Sequence, residues 1–210
     1  AKNIKLESSN SKFDLKLNGK EETINVPVGG EHFILNSLCA AMVGKVLKID
    51  NQKLKEGSES FELTKKRMDI TELENGVKVI NDAYNASLES MKASLGVLSE
   101  FKENRKIAIL GDMFELGKYS KELHKKVGEE VIKNKIDILR SRGANSKYII
   151  EKAREKKKEE NVYYLENKEE IVEVLKEVIK PGDVVLLKAS NGMKFYELAD
   201  MMISLLKKKD

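Results

Sequence analysis

From Val77 onward the sequence repeats one pattern five times: a short β-branched apolar run, a polar turn, then apolar residues spaced three and four apart. The runs 77–81, 106–110, 136–140, 162–165 and 183–188 each precede a helical pattern, over 88–102, 119–134, 145–157, 168–179 and 193–206. Parallel neighbours need crossover connections, so this alternation predicts an α/β fold, Rossmann-like and doubly wound, with a mostly parallel sheet. The helix faces agree. Leu123, Val127 and Val131 recur at four-residue steps, and Ile171, Val174, Leu175, Val178 and Ile179 form a wide apolar stripe. Pro181-Gly182-Asp183 is a stop and turn before the last strand.

Open α/β sheets bind ligands beyond the carboxyl ends of their strands. Three polar crests fall there. The first follows an Asn75-Gly76 turn and the run Val77, Val79, Ile80; it carries Asp82, Tyr84 and Asn85, with Ser87 as N-cap of the helix bearing Leu88, Met91, Leu95 and Leu98. The second is Gly111-Asp112-Met113-Phe114-Glu115-Leu116-Gly117, and the third is Lys188-Ala189-Ser190-Asn191-Gly192-Met193. Any one crest can be ordinary turn chemistry, because Asp, Asn and Ser satisfy free backbone N–H groups. Repetition favours a ligand. The topology predicts that Asp82, Asn85, Asp112, Glu115, Lys188, Ser190 and Asn191 converge on one edge. Ser190-Asn191-Gly192 is also expected to open a helix, either as a plain N-cap or as a carboxylate site.

Residues 1–64 read as part of a different domain, 67–210 as the Rossmann-like one. Phe13, Leu15 and Leu17 share a face before an Asn18-Gly19 turn, so a small antiparallel hairpin is expected. Pro27 ends the strand holding Ile24 and Val26, and Gly29-Gly30-Glu31-His32 leads into a helix with Leu35, Leu38, Ala41 and Met42 as its apolar residues. His32 and Asn36 fall on one helix face, where His32 is either a capping or packing residue or an anion ligand. A second helix is predicted between Val46 and Phe61, ended by Gly57. Thr64-Lys65-Lys66-Arg67 precedes a new strand, 68–73, and marks a domain junction. Arg67 there is either solvated or a forked donor for phosphate.

Composition narrows the function. Charged residues make up 35% of the 210, yet acids and bases nearly cancel at +4, which argues against a dedicated nucleic-acid binder. Lys156-Lys157-Lys158 and Lys207-Lys208-Lys209 read as solvated charge, and with no Trp an aromatic platform for bases is poorly supplied. Cys39 is the only cysteine, so no internal disulfide forms and a cytoplasmic location is expected; its place in an apolar helix reads as packing. No run is long enough to span a membrane. Two histidines are too few for a multi-histidine metal site, and no metal ligand is assigned. G-x-x-x-x-G-K-[ST], G-x-G-x-x-G and G-x-S-x-G are all absent, and no catalytic residue is assigned.

Several segments together resemble a known family. They are Gly30-Glu31-His32 with Asn36 and Ala40-Ala41; Arg67-Met68-Asp69; Ile80-Asn81-Asp82-Ala83-Tyr84-Asn85-Ala86; Ser90-Met91; Ile109 through Gly117; and Glu122-Leu123-His124. This set is similar to the Mur ligases, and within them to the branch that joins D-alanyl-D-alanine to UDP-N-acetylmuramoyl-tripeptide. The Asp112 to Gly117 segment speaks against the folylpolyglutamate and cyanophycin branches, and a non-catalytic Rossmann-like module is the alternative outside the family. The resemblance implies an ATP- and Mg²⁺-dependent amide ligation through an acyl phosphate. It places His32 and Asn36 near adenine, Arg67 at the phosphates, Asp82 at the ribose hydroxyls and Tyr84 and Asn85 beside the same cleft. Asp112, Glu115, Lys188, Ser190 and Asn191 would face the incoming amine. The family's phosphate loop, magnesium ligands and modified lysine would precede Ala1, so residues 1–64 match the late part of its central ATP-binding domain and the chain alone is expected to be inactive. Phe33 replaces a common Asn, and Ala189 and Asn191 replace the Gly and Arg of a Lys-Gly-Ser-Arg-Gly pattern.

Overall fold

The computed structural model describes all residues except 8, 18, 63–64, 166–176 and 208–210. The chain divides into two compact units, Ala1–Thr64 and Lys65–Asp210.

In the first unit β1 (Lys2–Leu6), β2 (Ser11–Leu17) and β3 (Lys20–Val26) form an antiparallel sheet in that order, one strand more than the expected hairpin. Alternation buries Phe13, Leu15 and Leu17 on one face against Ile24 and Val26. Of the predicted Asn18-Gly19 turn, Asn18 lies outside the described residues. Helix α1 (Glu31–Val46) buries Phe33, Ile34, Ala41 and Gly44. That face differs from the expected one: Leu35 and Met42 are exposed, and Cys39 is exposed rather than packed. The narrow sheet covers only one stripe of α1, so the apolar residues on the other side stay uncovered within this unit. Helix α2 (Asn51–Glu59) starts where the Asp50 side chain accepts the Lys53 N–H and runs through Gly57, which therefore does not end it.

The second unit is built on a six-stranded sheet. Its strands are β4 (Asp69–Glu72), β5 (Lys78–Asn81), β6 (Lys106–Gly111), β7 (Ile138–Arg142), β8 (Val162–Tyr164) and β9 (Val184–Lys188), ordered β4-β5-β9-β6-β7-β8. Only β4 runs antiparallel, returning through the 73–77 turn into β5; every other pairing is parallel. The last strand is thus inserted between the second and third. Alternate residues of the central strands point to opposite faces. Val79, Val185, Leu187, Ile107 and Ile109 pack with Phe195, Leu198, Ala199, Met202 and Leu206 of helix α6 (Phe195–Lys207). Ile80, Leu186, Ala108 and Leu110 point to the opposite face. Helices α3 (Leu88–Ser99), α4 (Ser120–Lys133) and α5 (Lys147–Arg154) supply buried Met91, Leu95, Leu98, Val127, Val131 and Ile149. Each such side chain contributes roughly 1.5–3 kcal/mol of burial, so the sheet is a rigid base for its rim. Ser87 caps α3 in a capping box with Ser90. Most of the helix predicted over 168–179 falls on 166–176, outside the described residues. Among the described residues no helix is long and apolar enough to cross a membrane.

Candidate functional site

Because β5, β9 and β6 are parallel neighbours, the turns that follow them share one rim. Asp82, Ser190 and Asp112 all sit there, each just past its strand, and the backbone links them: Asp82 N–H donates to Leu187 O, and Ser190 N–H donates to Asp112 O. The expected convergence of the three crests is therefore present.

The first crest centres on the Asp82 carboxylate, which is 8% exposed. Its Oδ1 accepts the Met68 N–H at 3.1 Å, and its Oδ2 accepts the Ser94 hydroxyl at 2.5 Å and the Lys188 ammonium at 2.6 Å. A carboxylate offers about four lone-pair sites, so one remains. Lys188 is 2% exposed and directs its other two protons at Asn85 O (3.0 Å) and Asp82 O (3.3 Å). With all three protons taken inside the fold, Lys188 has none to give a substrate. The structure thus joins Lys188 to the Asp82 crest.

Beside this crest the backbone is strained. Lys66 and Met68 both adopt left-handed φ values, 68° and 47°, on either side of Arg67. Tyr84 N–H donates to Lys66 O at 3.0 Å, and the exposed Arg67 guanidinium lies 3.9 Å from the Tyr84 ring centre. Lys66 stacks in the same way over Tyr196, at 3.3 Å. These cation–π contacts hold a forked cation at the rim with its N–H edge available. The Asn85 side chain is exposed next to them.

The loop after β6 is held by its own polar groups. Buried Asp112 accepts the N–H groups of Asn145 (3.1 Å) and Ser146 (2.6 Å), anchoring the turn that enters α5. A Cβ on Gly143, which has φ 132°, would collide with that carboxylate, so glycine is required there. Met113 N–H donates to His124 Nε2 at 3.0 Å, and Phe114 N–H to Ser190 Oγ at 2.8 Å. His124 is fully buried, and desolvation lowers its pKa below the usual value. Asp112 and Ser190 therefore fix loops; of the five residues expected to meet the amine, only Glu115, in left-handed conformation at φ 63°, and Asn191 remain exposed. The expected helix at Ser190 is also corrected. Residues Asn191–Met193 make a single 3₁₀ turn, Lys194 takes a left-handed φ of 53°, and α6 starts only at Phe195. Sequence reasoning gave no role to His124, Ser94 or Gly143. A buried-spaced His on an amphipathic helix following the loop was the available signal for the first.

In the first unit His32 stacks against Phe33, with ring centres 4.2 Å apart, and Asn36 is exposed on the next turn of α1. Asn36, Phe33 and Phe61 line an apolar pocket of about 380 Å³ formed with β3 and α2; His32 is not among its lining residues. Among the described residues no three His, Cys, Asp or Glu side chains converge as a metal-binding group.

Comparison with known proteins fits this geometry. Residues 66–191 match the family model described as Mur ligase, glutamate ligase domain. The UDP-N-acetylmuramoyl-tripeptide--D-alanyl-D-alanine ligase of Bacillus subtilis is 31% identical over 188 residues, covering 89% of this chain and 41% of that protein. The ligase of the same name from Synechocystis is 32% identical over 173 residues, covering 81% and 37%. The chain thus spans about two fifths of the length of these relatives. In fold it is similar to MurF from Acinetobacter baumannii, with a TM-score of 0.87 at 22% identity over 96% of this chain and 44% of that one. It is also similar to the MurF ligase of Thermotoga maritima solved in complex with ADP, with a TM-score of 0.81 at 25% identity over 100% and 47%. With the family model covering the rim from Lys66 to Asn191, the chain belongs to the Mur ligase family.

Proposed function

We propose that the chain serves as the C-terminal part of an ATP-dependent ligase that joins D-alanyl-D-alanine to UDP-N-acetylmuramoyl-tripeptide, a cytoplasmic step of peptidoglycan precursor synthesis. A carboxylate is inert to amines at neutral pH until one oxygen becomes a leaving group. In this reaction a peptide carboxylate oxygen bonds to the γ-phosphorus of ATP, releasing ADP. The dipeptide amine then attacks the acyl carbon, the phosphate leaves with the C–O bond electrons, and the amine gives up a proton. The chain's own residues bind and orient: the open acceptor site of Asp82 takes a ribose hydroxyl, and Arg67, backed by Tyr84 and flanked by Asn85, meets the phosphates. Glu115 and Asn191 face the dipeptide.

Magnesium would neutralise phosphate charge in such a reaction; among the described residues no group of three His, Cys, Asp or Glu side chains would hold it. The unit Ala1–Thr64 is read as part of a central ATP-binding domain. The exposed stripe of Leu35, Met42, Val43 and Val46 on α1 supports that reading, since a helix face this apolar is ordinarily covered.

The observation that carries the proposal is the meeting of three crests on one rim, with a buried carboxylate retaining one acceptor site beside a preorganised guanidinium. The test is phosphate release by the enzyme containing these residues, given ATP, the UDP-linked tripeptide and D-alanyl-D-alanine. Release that needs all three, and a higher KM for ATP in Asp82→Ala and Arg67→Ala, is expected. Turnover independent of the dipeptide, or unchanged ATP kinetics in both variants, refutes it.

A further inference from the structure

Lys188 and Ser190 leave the same strand end in opposite directions. The Lys188 ammonium reaches the Asp82 to Asn85 crest, while the Ser190 hydroxyl accepts the Phe114 N–H of the loop after β6. Strand β9 thus ties together the loops on both of its sides. Of the two ties, the one at Lys188 bears on charge. Asp82 is a buried anion, and the proposed ligand there is a polyanion; an unpaired carboxylate would repel it and be costly to bury. The ammonium at 2.6 Å removes the net charge while leaving one acceptor site on the carboxylate. The Ser94 hydroxyl and Met68 N–H fix the remaining orientation.

We propose that Lys188 is a positioning residue for nucleotide binding: it neutralises and orients Asp82 so that this carboxylate accepts a ligand hydroxyl, and it does not touch the amine substrate. This rests on the ligase reading above. It also makes a distinction that the family resemblance does not, because by chain position Lys188 falls in the crest assigned to the dipeptide.

The experiment measures steady-state phosphate release by the full-length enzyme against ATP and against D-alanyl-D-alanine, for wild type, Lys188→Met, Lys188→Arg and Ser94→Ala. Losing a charge-assisted hydrogen bond to the nucleotide-binding group is expected to raise the ATP KM about tenfold or more in Lys188→Met. The dipeptide KM stays within about twofold, and Lys188→Arg, which keeps the charge, moves the ATP KM back toward wild type. A purely structural role would instead shift kcat and both KM values together. A rise in the dipeptide KM alone, or no change in the ATP KM, overturns the assignment. If Lys188→Met does not yield folded enzyme, Ser94→Ala decides, because loosening Asp82 must raise the ATP KM in the same direction and an unchanged value refutes the role. A wild-type enzyme that releases no phosphate overturns the ligase reading itself, whereas a working enzyme with unmoved ATP kinetics in the variants overturns only the part given to Lys188.

Discussion

Lowering the pH should loosen the loop after β6 through His124. Its Nδ1 lies 2.7 Å from Ser120 O, an acceptor only, so Nδ1 carries the proton and Nε2 is the lone pair that receives the Met113 N–H at 3.0 Å. Protonating Nε2 would set two donors against each other in a fully buried place. Burial is the largest influence on this group and holds its folded pKa below the ordinary 6.5, against smaller opposing effects of Ser120 and Asp112. The sign follows. Stability linked to His124 is intact above the unfolded pKa and is lost as pH falls below about 6.5, because there the unfolded chain binds a proton that the folded one resists. Losing a buried hydrogen bond and leaving its donor unpaired costs about 1–3 kcal/mol, and each kcal/mol shifts Tm by about 2–4 °C in a chain of this size. The assay is thermal unfolding of wild type and His124→Leu at pH 7.5 and 5.5, with hydrogen exchange at the Met113 amide as the local readout. The leucine variant should be less stable at pH 7.5 but should lose less on acidification. Equal acid sensitivity of the two proteins, with Met113 exchange unchanged by pH in wild type, would refute the reasoning.

Further substitutions at three places test the scaffold. Gly143→Ala meets both a left-handed φ and the Asp112 carboxylate, so a loss of about 2 kcal/mol or more is expected from chemical denaturation. Gly96→Ala, with open space in the middle of α3, should be neutral or stabilising by about 0.5–1 kcal/mol; equal losses at both sites would contradict the geometry. At the opposite rim Arg105 grips Asp183 with two N–H bonds of 2.9 and 2.6 Å and also reaches Val178 O at 2.6 Å. Arg105→Ala leaves Asp183 buried without its cation and should cost about 2–3 kcal/mol, while the double change with Asp183→Asn should cost less than the sum, as a double-mutant cycle would read.

The sheet was legible because its signal is local: each apolar run and each helical stripe states its own period, and together they require parallel strands. Strand order was not, since nothing within 184–188 says that this run inserts between β5 and β6. The candidate site was legible as positions but not as roles. Asp82, Asp112, Lys188 and Ser190 are all polar residues past a strand end, and only coordinates separate those that tie loops together from those that face outward, such as Arg67, Glu115 and Asn191. The errors have the same origin. Cys39 has apolar neighbours in sequence, yet a three-stranded sheet buries only the stripe of Phe33, Ile34 and Ala41. Gly57 is a common stop signal, but at α2 the Asp50 cap and the following turns carry the helix past it.

The position of β9 also accommodates one of the two departures from the family pattern around it. Ala189 is fully buried between the two loops that Lys188 and Ser190 hold, where the pattern has glycine. Room for its methyl comes from the neighbouring strand. A Cβ on Gly111 would stand only 2.6 Å from the Ala189 Cβ, 2.7 Å from Met193 Sδ and 2.9 Å from the Phe195 ring. Glycine at 111 therefore absorbs the volume that alanine adds at 189, while Met193 Sδ accepts the Asp112 N–H. Asn191, in contrast, is exposed and stands where the pattern has arginine, a difference no packing constraint requires. The first substitution is thus matched within the core and should leave the fold unaltered. The second removes a permanent cation from the face assigned to the dipeptide, and any change in how its carboxylate is held should appear there.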